Sequence, residues 1–353
     1  MRNVMLFMLV FSAQYAVSAE QVSPTIVNGN NAYISSYPYM ASLYYDRRED
    51  YGYYGNYCGA TILDAKHVMT AAHCVQDNYY NKYTTVVLQL EREGDFNSAQ
   101  KIPAKSFYYR DDYRDGSYYL WENDIAIIEL EYAMQGVPSS QFVPLPVSGD
   151  AANYRVNGAK FQAVGHGNTK SNYDSSDHLL QVTLDYVDQV TCTAFASVKE
   201  GHICTRGDYN ATSGLHGAIC QGDSGGPLLW FDGSKYRQIG IASFGPSVCG
   251  NPSVSVHGVF TEVLDYVPWI NSVLAGNEAP KYSVDGSTTG GVVPKSEPEA
   301  TTDTSSKAGS VGLLSMMLLL IAAFFKQQLT LPKGFYRVSI QGNCLVIHVA
   351  GKQ

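Results

Sequence analysis

The chain has 353 residues, 45% of them hydrophobic, and a formal charge of −8. That composition supplies a full core for one large or two small domains, and an acidic chain without a basic block excludes nucleic acid as its main partner. No repeat of solenoid period runs through it. Tyrosine is abundant, at 27 residues, with clusters such as 51–57 and 108–119 set among Gly, Asp, Asn and Arg, a mixture that reads as loops.

Residues 1–19 carry Arg2, an apolar run from Val4 to Phe11 and the small ending Val17-Ser18-Ala19, the layout of a secretory signal peptide. The run is too short to span a bilayer in the mature chain. Export places the cysteines where they tend to pair. A polar segment, Glu20 to Thr25, leads to Ile26-Val27-Asn28-Gly29, which alone reads as an ordinary first strand. The Tyr-rich, charged stretch between Leu43 and Cys58 reads as a solvated hairpin loop.

Strand-like Cys58-Gly59-Ala60-Thr61-Ile62-Leu63 is followed by Val68-Met69-Thr70-Ala71-Ala72-His73-Cys74. Imidazole can both take and return a proton near neutrality, so His73 is a candidate general base. A lone histidine beside a cysteine is more often structural or a metal ligand, but no second histidine or cysteine stands at metal-ligand spacing from it. Further on, Asp124 heads the alternating run Ile125-Ala126-Ile127-Ile128-Glu129-Leu130. A carboxylate entering such a strand is desolvated and needs hydrogen bonds; a histidine N–H would serve, and the plainer reading is a turn cap, as for Asp112 and Asp115.

Pro138 to Pro146 looks like a crossing between two halves, and Gly165-His166-Gly167 ends a strand beyond it. Asn210-Ala211-Thr212 is an N-glycosylation sequon. Then comes Cys220-Gln221-Gly222-Asp223-Ser224-Gly225-Gly226-Pro227-Leu228-Leu229. A serine hydroxyl becomes a nucleophile only with a base and with N–H donors for the oxyanion. Glycines 222, 225 and 226 would let the chain turn tightly around Ser224 and let a carbonyl approach the N–H groups of Gly222 and Ser224. Apolar positions 263, 266, 267, 270 and 274 have helical spacing, with Pro268 admissible in the first turn.

Taken together, Ile26-Val27-Asn28-Gly29, Thr-Ala-Ala-His73-Cys, Asn-Asp124-Ile-Ala and Gly-Asp-Ser224-Gly resemble the chymotrypsin-like (trypsin-fold) serine endopeptidases over Ile26 to about Ala275. The resemblance implies an all-β fold of two six-stranded antiparallel β-barrels with the active site between them and a short C-terminal helix. It implies that Ser224 attacks, His73 moves the proton, Asp124 orients His73, and the N–H groups of Gly222 and Ser224 bind the oxyanion. Residues 20–25 become a short propeptide, whose removal frees the ammonium of Ile26 to pair with Asp223. Thr25 departs from the Lys or Arg usual before that cleavage, and His166 replaces a tryptophan. The disulfides implied are Cys58–Cys74, Cys192–Cys204 and Cys220–Cys249.

The implied specificity pocket comprises Ala218 at its base and Ser243, Gly245 and Gly258 on its walls, with Ser243 also bonded to Asp124. An uncharged base predicts cleavage after large apolar or aromatic residues, with an elastase-like preference for small ones as the alternative if Ile219 narrows the pocket. This chemistry needs no metal and no cofactor, and Glu91 to Asp95 reads as a solvated face rather than a calcium loop. Partners would be protein or peptide substrates and proteinaceous inhibitors of a monomer. The rival reading is a catalytically silent homologue acting as a secreted binding protein.

The tail differs. Residues 276–310 are Gly-, Ser-, Thr-, Pro- and acid-rich, a disordered stalk. Residues 311–325 are uninterruptedly apolar except for Ser315 and read as a lipid-anchor signal or a short span, which places the domain in the secreted space or on the outer cell surface. Residues 326–353, with the seventh cysteine Cys344, receive no assignment.

Overall fold

Alternation of buried and exposed side chains builds most of the strands, as in Leu180-Gln181-Val182-Thr183-Leu184, where the apolar members face inward. A computed structural model describes residues 26–173, 176–192, 198–285, 336–341 and 344–349. The expected signal peptide, the propeptide, the apolar run 311–325 and most of the stalk lie outside the described residues.

The first barrel closes through β2 (Met40–Arg47), β3 (Tyr53–Ile62), β4 (His67–Thr70), β7 (Ala126–Leu130), β6 (Lys101–Tyr109) and β5 (Thr84–Leu88), which returns to β2. The second closes through β8 (Lys160–Gly165), β9 (Leu180–Val187), β10 (His202–Gly207), β15 (Gly258–Glu262), β14 (Tyr236–Phe244) and β13 (Pro227–Phe231), which pairs back to β8. Closure leaves no open edge in either ring. Register shifts at Leu43/Tyr44, Ala104/Ser106, Leu228/Leu229 and Ala242/Phe244 supply the local bends that let such sheets curl. Between β10 and β13, β11 (Tyr209–Asn210) and β12 (Leu215–His216) form a small hairpin that leaves Asn210 of the sequon exposed. This is the expected all-β, two-barrel architecture.

The chain ends cross over. β1 (Asn30–Asn31), from the start, pairs with β9 of the second barrel. The C-terminal helix Val267–Leu274, with proline in its first turn, buries Ile270 and Val273 in the core shared with the first barrel. Ordered structure does not stop at 275, as the sequence led us to expect. The chain folds back, and β16 (Tyr282–Ser283) pairs with Phe107 and Ser106 of β6. Tyr282 is buried, Ser283 Oγ meets Ser106 Oγ at 3.1 Å, and the N–H of Val284 donates to the Lys105 carbonyl. The apolar tyrosine ring and this short ladder are what ten residues of linker-like composition concealed.

The stretch after Leu43 is not a loop either. β2 and β3 stay paired out to Arg47 and Tyr53, and residues 48–51 close the hairpin as one helical turn. Stacking explains the order: Tyr45 lies on Tyr57 at 3.9 Å and Tyr54 on Phe96 at 4.1 Å. In the second compact unit, the described strands β17 (Tyr336–Gln341) and β18 (Cys344–Val349) make an antiparallel hairpin. Among the described residues no helix is long and apolar enough to cross a membrane.

Candidate active site

His73 stands in the turn that follows β4, and the Cys58–Cys74 disulfide ties that turn to β3. Asp124 enters β7 from a segment whose residues Leu120, Trp121 and Asn123 all have positive φ, at 56°, 46° and 61°. Those conformations turn the chain sharply enough to bury the carboxylate completely. It is well satisfied there. Oδ1 accepts the His73 backbone N–H at 2.9 Å, and Oδ2 accepts from His73 Nδ1 at 2.8 Å and from Ser243 Oγ at 2.5 Å. Ser243 reaches it because it is the extra residue of the bulge between Ala242, opposite Phe260, and Phe244, opposite Val259.

The electrostatics follow from that burial. Burial pulls the His73 imidazole down, but the Asp124 charge, their hydrogen bond and Asp115 outweigh it and hold its pKa above the ordinary value. Burial pushes Asp124 up, but the His73 charge and hydrogen bonds and the Ser243 hydroxyl keep it below the usual carboxylate range. With Nδ1 donating to Asp124, Nε2 is left as the proton acceptor.

Ser224 shares a cleft of about 250 Å³ with His73. Its loop is docked on the first barrel: Gly59 N–H donates to the Ser224 carbonyl at 2.7 Å. Gly225, at φ +79°, admits no side chain, since a Cβ would stand 2.2 Å from Thr70 Oγ1 and 2.5 Å from the Gly59 carbonyl. Asp223 N–H is spent on Cys220 and Gly225 N–H on Ala242, whereas among the described residues the N–H groups of Gly222 and Ser224 have no backbone partner.

Asp223 is buried, and its carboxylate accepts Gly167 N–H at 2.9 Å and Cys220 N–H at 2.8 Å. A Cβ at Gly165 or Gly167 would stand 2.4 or 2.3 Å from that carboxyl group. The glycines flanking His166 are therefore required by Asp223, a reason invisible until the two segments meet. Ile26 is fully buried in the second barrel's core, and Val27 pairs with Ala218.

Ser243 and Gly245 line the cleft, and Ala218 packs beside it among Val27 and the cleft-lining Cys220 and Cys249. Ile219 lines the cleft and leans on Gly258, where a Cβ would meet Ile219 Cγ1 at 3.1 Å. Counting six positions back from Ser224 lands beside Ile219, which lines the cleft. Trp121 was missed. It stacks on Phe244 at 5.2 Å and forms a wall of the cleft beside His73.

The remaining predicted disulfides, Cys192–Cys204 and Cys220–Cys249, are formed. Among the described residues two groups place a histidine among cysteine sulfurs, His73 with Cys58 and Cys74, and His257 with Cys192 and Cys204. Sulfurs held in disulfides are not thiolates, so neither group is a metal-binding set.

The family model described as Trypsin matches residues 26–270. The chain belongs to the trypsin family of serine endopeptidases. It is similar to chymotrypsin-like elastase family member 1 of Homo sapiens, 32% identical over 284 residues that take in 76% of this chain and all of that one. The phenoloxidase-activating enzyme of Bombyx mori is 29% identical over 72% of this chain and 61% of its own length. The CLIP domain-containing serine protease B4 of Anopheles gambiae is 27% identical over 71% and 70%.

Proposed function

We propose that the protease is secreted and cleaves peptide bonds through an acyl-enzyme on Ser224. His73 takes the serine proton and returns it to the leaving amine, while Asp124 fixes the tautomer and stabilises the imidazolium. The N–H groups of Gly222 and Ser224 receive the oxyanion. The observation that carries this reading is the line from buried Asp124 through His73 Nδ1 into the cleft that holds Ser224. Cleavage after Thr25 frees Ile26, whose ammonium pairs with Asp223; the burial of both residues supports this.

The residue before the cleaved bond is large and apolar, such as Phe, Tyr, Leu or Met. Support comes from a cleft whose lining beyond His73 bears no ionisable acid or base, with an open wall at Gly245, where nothing lies within 3.7 Å of a would-be Cβ. Secretion fits the signal-like 1–19, the three disulfides and the exposed sequon at Asn210. Substrates are proteins or peptides bound in part as an added strand along 243–245, and proteinaceous inhibitors would use the same edge. Residues 311–325 attach the product of secretion to the cell surface.

A labelled fluorophosphonate tests the chemistry. Protein beginning at Ile26 should be modified and a Ser224→Ala variant should not; an unreactive Ile26 form would overturn the assignment. Peptide chromogens differing only in the residue before the scissile bond test the pocket, and a preference for Arg would sink that part.

A further inference from the structure

The carboxylate that orients His73 is held by a residue next to it in sequence and by another far away. Asn123 immediately precedes Asp124 and sits in the left-handed region, which asparagine tolerates better than most residues. Its side-chain amide is fastened at both ends. Oδ1 accepts the buried Tyr266 hydroxyl at 2.8 Å, and Nδ2 donates to the Asp112 carbonyl at 3.0 Å. The circuit then closes. Arg110 makes a two-pronged bond to the Asp112 carboxylate, at 2.8 and 2.6 Å, and its guanidinium lies 5.8 Å from the centre of the Tyr266 ring. Tyr266 itself is anchored in the core at the turn that begins the C-terminal helix, and the folded-back extension adds an ion pair from Lys281 to Asp111 beside Arg110.

We propose that Asn123 and Tyr266 are positioning residues for Asp124, and that the C-terminal helix serves the active site through the bond between them. The physical need is plain: three left-handed residues in four positions store strain that something must hold, and a carboxylate must be placed to a fraction of an ångström to keep its bond to His73. The inference rests on Asp124 acting as the orienting acid. Asp115, Tyr113 and His202 also face the His73–Asp124 pair, and none of them belongs to this circuit.

The test compares Tyr266→Phe and Asn123→Gly with Tyr37→Phe. Asn123→Gly keeps the backbone conformation accessible while deleting the amide. Tyr37→Phe deletes another buried tyrosine bond, to Gln181 Oε1 at 2.6 Å, away from the site. For the first two we expect kcat to fall about tenfold with KM little changed, short of the ~10²-fold that a 1 Å misplacement costs. The ascending limb of the pH profile of kcat/KM should also move to lower pH, since His73 is held up by Asp124. The double variant should match the worse single one, because both act through one bond. Tyr37→Phe should lower Tm yet leave the limb in place. Tyr266→Phe and Asn123→Gly enzymes with the wild-type limb and kcat overturn the proposal, provided wild type is labelled by fluorophosphonate. Absence of that labelling would instead be a failure of the assignment of Ser224.

Discussion

Two buried histidines should make this protease unfold in mild acid, and the size of the effect follows from their surroundings. His166 replaces the family's tryptophan at the end of β8. Burial pushes its pKa down to about 4, with His178 adding to the fall and the Glu91 carbonyl and Asp177 opposing it. Its ring meets Ser42 Oγ at 3.4 Å. His202, on β10, is pushed down to about 4 by burial, helped by Lys199 and Arg155 against Asp124 and Glu122. Both rings are neutral in the folded state where an unfolded chain, with pKa near 6.5, has begun to bind protons. The unfolded state thus holds the excess protons as pH falls from 6.5 towards 4, so stability is present above this window and lost within it. Each histidine costs about 3 kcal/mol by pH 4, and two together rival the 5–15 kcal/mol of a typical domain. Buried carboxylates such as Asp124, whose folded pKa is lowered, lose their contribution only as pH falls through the carboxylate range. Denaturant unfolding of the Ser224→Ala form, which prevents self-digestion, should therefore show stability dropping between pH 6.5 and 4.5. His166→Phe, which keeps a ring of similar size without a titrating group, should make that drop smaller. A His166→Phe protein with the wild-type pH dependence would refute the reasoning.

The pocket and the tail give two further expectations. Ile219→Gly should deepen the cleft and raise kcat/KM for Tyr over Leu before the scissile bond by about tenfold or more, the scale on which methylenes discriminate in apolar pockets. Unchanged ratios in chromogen assays would mean that Ile219 is not the floor. Ending the chain after Ala275 rather than Asp285 removes buried Tyr282 and the β16 ladder. Losing a buried aromatic costs about 3 kcal/mol, so Tm should fall by about 5–10 °C; equal melting of the two forms would show the folded-back segment to be superfluous.

What was legible in the sequence depended on how far apart the cooperating residues lie. His73, Asp124 and Ser224 stood out as candidates because each carries its local surroundings with it: a cysteine to pin the turn, an apolar strand to bury the acid, glycines to clear the serine. The barrels were legible only through resemblance, since the pairings that close them, β2 with β5 and β8 with β13, join strands separated by other strands. The Tyr-rich hairpin was misjudged because stacking of Tyr45 on Tyr57 and Tyr54 on Phe96 orders a segment whose composition is that of a loop. The Tyr266–Asn123 bond spans 143 residues and leaves no periodic trace. Separation in sequence likewise hides the reason for glycine at 165 and 167, which is the carboxylate of Asp223. Most of these misses concern residues that act by holding another in place, and Trp121 was missed because only the fold brings it to the cleft wall. Chemistry that resides in one short motif is written locally, whereas the geometry that makes it work is contributed by segments that meet only when both barrels have closed.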